Sequence, residues 1–507
     1  MSQAAIIFTI ILYLVFMLLV GVYCSRSNKT TDDFYLGGRK LGPFVVAMSA
    51  EASDMSSYLL MGLPGLAYLS GICDVGWTAI GLAVGTYLNW LLVARRLRVY
   101  THATGSITVP AFFSDRFGDT RNILSGVSAI IIIIFFIPYT ASGFAACGKL
   151  FHSLFGYNYI ITMIVCAIII ILYCAMGGFS AASTTDLIQS IIMSLALLII
   201  IVFGIHQAGG MSTVIDNAKS LPGYLSLTHS YSVDTNSANP SSLLTIVSTL
   251  AWGLGYFGMP HILLRFMAIE DENKLKLSRR IATVWVVIAM GIAVLIGLMG
   301  NTLAHLGILE TLTGSDTETV IIQVSALIST YGILPSMLTG LILAGILAST
   351  MSTADSQLLA AASSVSENIF QDLLHIKLTI KQRLIVARVT LVVIAIIAMF
   401  LARDPNSSIF KIVSFAWAGF GATFGPVVLL ALFWRRSNKY GALTGMIVGG
   451  VMVFVWKFGI ASLGGVFAIY ELLPAFLIAL AINVIVSLAT PAPSKEVTDL
   501  FDSVKTK

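Results

Sequence analysis

The sequence predicts an all-α protein of about thirteen membrane-spanning helices, and three observations carry that expectation. Of its 507 residues, 57% are hydrophobic and only 10% charged, with a mean hydropathy of +0.92; a soluble domain is about one-quarter charged. The apolar residues fall in blocks of roughly 20, the length a helix needs to cross a bilayer core. Basic residues crowd into alternate connections between those blocks, as the positive-inside rule requires. These observations exclude a soluble enzyme, a nucleic-acid binder and a disordered scaffold. The net charge of +5, 29 basic less 24 acidic residues, says little until the charges are assigned to a side.

In chain order the apolar blocks occupy 4–24, 44–64, 74–94, 123–146, 157–177, 186–207, 242–268, 281–304, 333–360, 384–402, 408–434, 440–459 and 466–490. The first follows the initial Met-Ser-Gln with no basic stretch or cleavage site, so it reads as a retained span rather than a signal peptide. An odd number of spans puts the termini on opposite sides. One set of alternate connections, taken with their flanks, holds all 29 basic residues except Lys149, Lys219, Arg403, Lys411 and Lys457. That set runs from Arg26 and Lys29, through Arg39, Arg265, Arg279 and Arg280, to Lys507 in the tail. The basic side is cytoplasmic, so the N-terminus lies outside a plasma membrane and the C-terminus inside. The outer segments 208–241 and 305–332 read as polar loops, too short for a separate domain. The chain is therefore one membrane domain over 1–507, with a first helix and loop at 1–40 and a cytoplasmic tail at 491–507. Cys24, Cys73, Cys147, Cys166 and Cys174 form no C-x-x-C pair or zinc spacing and read as small core residues.

Span two breaks the rule of uniform apolarity. Glu51 and Asp54 lie within it, and each costs about 3 kcal/mol at a bilayer centre. Ser49, Ser53, Ser56 and Ser57 add polar surface, and Gly62-Leu63-Pro64-Gly65 weakens the helix. Span seven is disrupted likewise, by three glycines and a proline within Trp252–Pro260. Non-helical backbone at membrane depth is tolerated only where it lines a cavity or is buried in protein. Two interrupted segments at matching places, five spans apart, point to an inverted-repeat secondary transporter with its sites at the breaks. Trp252 and Tyr256, at i and i+4 beside the second break, read either as binding rings or as core packing.

Span nine carries Ser349, Ser352, Thr353 and Ser356 on one helical face, with Asp355 beside them. Hard oxygen ligands without His or Cys suit Na⁺ or another hard cation. Asp186, at the start of span six, reads equally as a further oxygen ligand or as a helix cap. Tyr139 follows Pro138 in span four, where a kink turns its ring inward or merely bends the helix. Gly81-x3-Gly85 and Gly441-x3-Gly445-x3-Gly449 read as faces of close helix packing. No P-loop or nucleophile motif appears. The reading is thus a carrier driven by a gradient, not an enzyme.

At these residues the chain resembles the sodium:solute symporter family, and within it the branch that carries proline. The matching stretches are Gly37-Gly38-Arg39, Ser53–Ser56 through Gly62–Gly65, Trp252–Met267, Met351–Thr353, Gln357–Leu359 and Ala416–Ala422, and the resemblance runs from about 5 to 490. It implies a LeuT-like core of five plus five helices at 41–434, with the first span and the last two, 435–490, peripheral. The co-transported ion is then Na⁺, held by the carbonyls of Ala52, Met55 and Ser349 and the hydroxyls of Ser352 and Thr353. The solute, L-proline, falls to Ser56, Tyr58, Tyr139, Trp252 and Tyr256. Arg39, Asp54 and Asp186 match charges that serve coupling or gating; in some relatives Asp186 and the second half of the hydroxyl stripe form a second cation site, which here would comprise Asp186, Ser352, Asp355 and Ser356. Tyr58 stands where the proline carriers have Trp, Glu51 replaces a small residue, and Asp355 replaces a small or hydroxyl one. The implied partners are proline, Na⁺ and the lipid bilayer, with no nucleic acid and no obligate protein. Other small solutes on the same scaffold, and a transporter-like sensor, are the competing readings.

Overall fold

The computed structural model describes residues 2–25 and 31–505. Arg26, Lys29 and Lys507, counted above with the loop cations, lie outside them. All thirteen expected segments are helical in their apolar parts. Among the described residues, ten helices are long and apolar enough to cross a membrane, or eleven with Leu243–Gly258 and Pro260–Ala268 taken as one bent span. The other two are the charged second segment, Pro43–Ser57 running on to Ser70, and the start of the fifth, Tyr159–Leu172.

Three interruptions shape the bundle. In span two the backbone leaves the helix at Ser56, with φ 49° and ψ −167°, then resumes through a wide turn, Tyr58–Gly62, into Leu63–Ser70. A non-glycine residue held in such a conformation costs about 1–3 kcal/mol, and the Ser56 hydroxyl offsets part of it by accepting the Tyr58 amide at 3.1 Å. In span seven a tight stretch, Ala251–Gly258, meets Pro260–Ala268 at a bend of 48°. Spans five and six run as one helical path, Tyr159–Gln207, with a turn at Gly178, where φ is 65°.

Burial sorts the spans. The apolar window of Ile409–Phe433 is 83% buried and that of Ile333–Leu373 67%. The corresponding figures are 28% for both Gln3–Tyr23 and Lys381–Leu401, 17% for Lys439–Leu463 and 33% for Leu472–Ala489, so these four spans leave most of their surface uncovered by the rest of the described chain. The small-residue faces do pack closely. A Cβ on Gly253 would meet the Gly81 carbonyl at 2.2 Å, and one on Gly85 the Gly253 carbonyl at 2.4 Å. One on Gly441 would lie 2.0 Å from Ser487 Oγ. Cys73, Cys147, Cys166 and Cys174 are buried free thiols.

Two segments expected as loops hold structure. Residues 208–241 form a helix, Met211–Ser220, and an antiparallel hairpin that pairs His229 with Pro240 and Ser232 with Ser237. Residues 305–332 contain Val320–Ser329, whose Val320, Ile321, Ile322 and Val324 are buried. The apolar run of Val320–Ser329 falls short of the ~20 residues of a crossing, and the 211–240 stretch is mostly polar, so a search for crossings passes over both. The tail likewise forms a helix, Lys495–Lys505, with Phe501 buried beneath the Arg116 guanidinium, 4.7 Å from its ring centre.

Candidate ion and solute site

The break at Ser56 brings span two against span nine. The Ser352 hydroxyl donates to the Ala52 carbonyl at 2.8 Å and lies 3.2 Å from the Ser349 carbonyl. That second carbonyl also accepts from Thr353 Oγ1 at 2.9 Å. Four of the five residues expected to hold Na⁺ thus share one hydrogen-bonded cluster, and all four are buried. The fifth, Met55, sits one residue before the break, with its carbonyl accepting the Tyr58 amide. Ending a helix leaves carbonyls without intrahelical donors, and these are the hard oxygens that a small monovalent cation takes. Among the described residues no His/Cys/Asp/Glu cluster could hold a metal of another type.

Asp54 lies in the same turn and joins it to two further spans. Its Oδ2 accepts from the Tyr256 hydroxyl at 2.5 Å, and its carbonyl accepts from the Tyr139 hydroxyl at 3.0 Å. Asp54 Oδ1 has no hydrogen-bond partner among the described residues. Glu51, one turn earlier, accepts from Trp90 Nε1 at 3.2 Å. Both carboxylates face protein rather than lipid, which a charged group at membrane depth requires.

The expected solute residues gather beside this cluster. Tyr58 stacks on Trp252 with ring centres 5.6 Å apart, Tyr139 and Tyr256 reach Asp54, and Ser56 is the break itself. Three rings that sequence reasoning gave no solute role complete the set. Tyr470 stacks on Trp252 at 5.0 Å, Phe410 packs on both Tyr58 and Trp252, and Trp417 stands edge-on to Tyr256 at 5.0 Å. Trp417 Nε1 also donates to the Trp252 carbonyl at 2.8 Å. A signal for Trp417 existed, since it lies within the Ala416–Ala422 stretch; Phe410 and Tyr470 carry none in an apolar chain. Tyr58, Tyr139, Trp252 and Tyr256 are each at most 4% exposed, so the rings are buried inside the bundle.

Arg265 is not the loop cation expected from its position. It is 1% exposed and lies on span seven, where Nη2 reaches Asp186 Oδ2 at 3.0 Å and Ser356 Oγ at 2.5 Å. Its Nε reaches Ser49 Oγ at 3.1 Å, Nη1 the His261 carbonyl at 2.9 Å, and the guanidinium lies over the Phe179 ring. Asp186 also accepts from Ser49 at 2.6 Å; it lies inside the helix beyond the Gly178 turn and is no cap. Of the four residues read as a second cation site, two therefore engage a guanidinium. Ser352 belongs to the first cluster, and Asp355 accepts from Ser356 at 3.1 Å. A cation added here would meet a fixed positive charge at short range.

Arg39 stands at the cytoplasmic edge of the expected topology, in a left-handed conformation with φ 54°. Its guanidinium donates to the carbonyls of Met267, Thr101 and Ser106 at 3.0, 3.1 and 2.7 Å. It thereby ties the segment before span two to the ends of spans three and seven, next to a short bridge between Leu41 and Ile269.

Two broken helices five spans apart, meeting a hydroxyl-lined partner helix, define a membrane transporter of LeuT-like fold. Solved structures share that fold. A Na⁺-coupled sialic acid symporter, in a substrate-bound outward-open state, aligns with a TM-score of 0.78 at 19% identity, covering 97% of this chain and 99% of that one. MHP1, a nucleobase-cation-symport-1 family transporter, aligns at 0.55 and 13%, covering 94% and 99%. The chain belongs to the sodium:solute symporter family, whose model matches residues 34–449. Among its relatives, the osmoregulated proline transporter OpuE of Bacillus subtilis (strain 168) is 40% identical, with 98% of this chain and 97% of that protein aligned. The high-affinity proline transporter PutP of the same organism is also 40% identical, over 96% and 98%. The sodium/proline symporter of Escherichia coli (strain K12) is 39% identical, over 97% and 95%.

Proposed function

We propose that this chain is a Na⁺-coupled symporter that carries L-proline into the cell by alternating access. It crosses the plasma membrane thirteen times, with the N-terminus outside, the C-terminus in the cytoplasm, the inverted-repeat core at 41–434 and the flanking spans peripheral. The single observation that carries the reading is the break at Ser56, which sets the Ala52 carbonyl on the Ser352 hydroxyl and the Tyr58 ring on Trp252. The names of full-length relatives near 40% identity support proline as the solute.

Na⁺ is held by the carbonyls of Ala52, Met55 and Ser349 and by Ser352 Oγ and Thr353 Oγ1. To receive it, the Ser352 hydroxyl turns its proton away from Ala52 and offers a lone pair. The ion then bridges spans two and nine where a hydrogen bond does so now. Proline's carboxylate meets the amide groups at the start of the resumed half-helix, whose dipole favours a negative group. Its pyrrolidine ring lies among Tyr58, Trp252, Tyr256 and Tyr139, and its ammonium gains from their π faces. Because the break carries both ligands, each favours the geometry the other needs, and the coupling is reciprocal. Asp54, through Tyr256 and Tyr139, holds the break to spans seven and four. Arg39 and the Asp186–Arg265 pair close the cytoplasmic side and must open for release.

The test is uptake of labelled L-proline by cells lacking their own proline carriers, with a panel of amino acids, vitamins and sugars as competitors. Na⁺-dependent uptake competed mainly by proline is expected. Na⁺-dependent uptake of another panel member would keep the ion site and discard the solute.

A further inference from the structure

A groove of about 590 Å³ runs down the lipid-facing side of the bundle between spans two, six and eight. Its walls are apolar along nearly their whole length, through Phe44, Leu198, Val284, Trp285, Ile288 and Ile292. Phe44, Leu198, Val284 and Ile288 are between 48% and 59% exposed, so no other part of the described chain covers them. At one end stands Arg280, exposed and without a hydrogen bond or ion pair among the described residues. Its neighbour Arg279 lies over the Tyr87 ring. From Arg280 to Ile292 the helix rises about 18 Å, close to one leaflet of a roughly 30 Å hydrocarbon core.

A groove one leaflet deep, apolar below and cationic at its mouth, fits a single class of occupant. We propose that it binds an anionic phospholipid of the cytoplasmic leaflet, with the phosphate-bearing headgroup at Arg280 and one acyl chain laid along Val284, Ile288 and Ile292. Basic pockets between membrane helices on the cytoplasmic side take such headgroups in general. The assignment of leaflet rests on the orientation proposed above; the groove and its charge do not. Met48, which also lines the groove, is adjacent in sequence to Ser49, the residue that hydrogen-bonds to Asp186 and Arg265. The lipid therefore touches the cytoplasmic half of the broken second span. A zwitterionic lipid fills the same apolar walls but gains less from Arg280.

Trp285 supplies the probe, since it lines the groove with its Nε1 bonded to Ser194 Oγ at 2.9 Å. The purified full-length protein is reconstituted into phosphatidylcholine bilayers containing increasing fractions of phosphatidylglycerol or phosphatidylcholine brominated on the acyl chain. The Trp285 signal is the difference in fluorescence between the wild type and Trp285→Phe. Half-maximal quenching is expected at a several-fold lower fraction of the brominated anionic lipid. Arg280→Gln is expected to remove that preference while leaving quenching by the zwitterionic lipid unchanged. Equal quenching by both lipids in the wild type would overturn the proposal, as would a preference that survives Arg280→Gln. Quenching by neither, with dimers formed through Val284→Cys, would seat a second copy of the chain there instead. The readout needs neither Na⁺ nor proline, so its failure is distinguishable from failure of the transport reading.

Discussion

Replacing Tyr256 with Phe removes one hydroxyl and keeps the ring against Trp417. That hydroxyl is the only hydrogen-bond donor to the Asp54 carboxylate among the described residues, at 2.5 Å, and Asp54 Oδ1 has no partner there. The variant leaves a buried carboxylate with neither oxygen paired. A hydrogen bond to a charged group contributes about 1.5–3 kcal/mol, and about 1.4 kcal/mol is a factor of ten. Asp54 lies between Ala52 and Met55, so the loss falls on the turn proposed above to offer their carbonyls to Na⁺. The Na⁺ concentration for half-maximal proline uptake is therefore expected to rise roughly 10- to 100-fold. Tyr139→Phe is the internal comparison, because its hydroxyl donates to the neutral Asp54 carbonyl at 3.0 Å. Such a bond contributes about 0.5–1.5 kcal/mol, which gives roughly a 2- to 12-fold rise. The assay is initial-rate uptake in proteoliposomes across a series of Na⁺ concentrations. A half-saturation value for Tyr256→Phe within twofold of wild type, or a larger effect for Tyr139→Phe, would refute the assignment of Asp54 as the anchor of the ion turn.

Three further outcomes follow from the same geometry. Ser352→Ala removes the group that touches Ala52 and Ser349, so half-saturation by Na⁺ should rise about tenfold or more while the competitor ranking holds; an altered ranking with unchanged Na⁺ dependence would place Ser352 on the solute instead. Gly253→Ala puts a Cβ 2.2 Å from the Gly81 carbonyl, whereas a Cβ on Gly291 meets nothing within 4 Å. The first variant should lose about 1–3 kcal/mol and melt lower in a thermal unfolding assay, and the second should melt at or above wild type. Arg265→Met alone strands the buried carboxylate of Asp186, at a cost of about 3–5 kcal/mol. Adding Asp186→Leu should restore the monodisperse peak in size-exclusion chromatography without restoring uptake; recovery of uptake would remove the pair from the transport cycle.

Much of the fold was legible because lipid imposes one rule on the whole chain. Each crossing needs about 20 apolar residues, so span positions could be read from length and hydropathy alone. The rule is silent about short apolar runs such as Val320–Ser329 and about polar stretches such as the 229–240 hairpin, which is why both passed for loops. The cluster proposed to hold Na⁺ was legible in part for a related reason: in a chain only 10% charged, the hydroxyl stripe of span nine and the carboxylates of span two stand out as unpaid polarity, whereas the carbonyls of Ala52, Met55 and Ser349 came from the family resemblance alone. Arg265 was misplaced because the count by alternation assigns a cation near the end of a span to the adjacent loop. Its partners, Asp186 and Ser356, lie 79 and 91 residues away, a separation that no local pattern encodes. Phe410 and Tyr470 escaped notice because an aromatic ring is ordinary in a membrane span; only the stacking on Trp252 sets them apart.

The central claim is that one broken helix carries both ligands, so that neither crosses productively without the other. Proline-dependent influx of radioactive sodium into proteoliposomes tests it most directly, measured beside labelled proline uptake with no competing ion gradient. Each flux is expected to require the other's substrate, and both are expected to fall together in Ser352→Ala at low Na⁺. Sodium influx indifferent to proline, or proline uptake that proceeds equally in K⁺, would contradict the account.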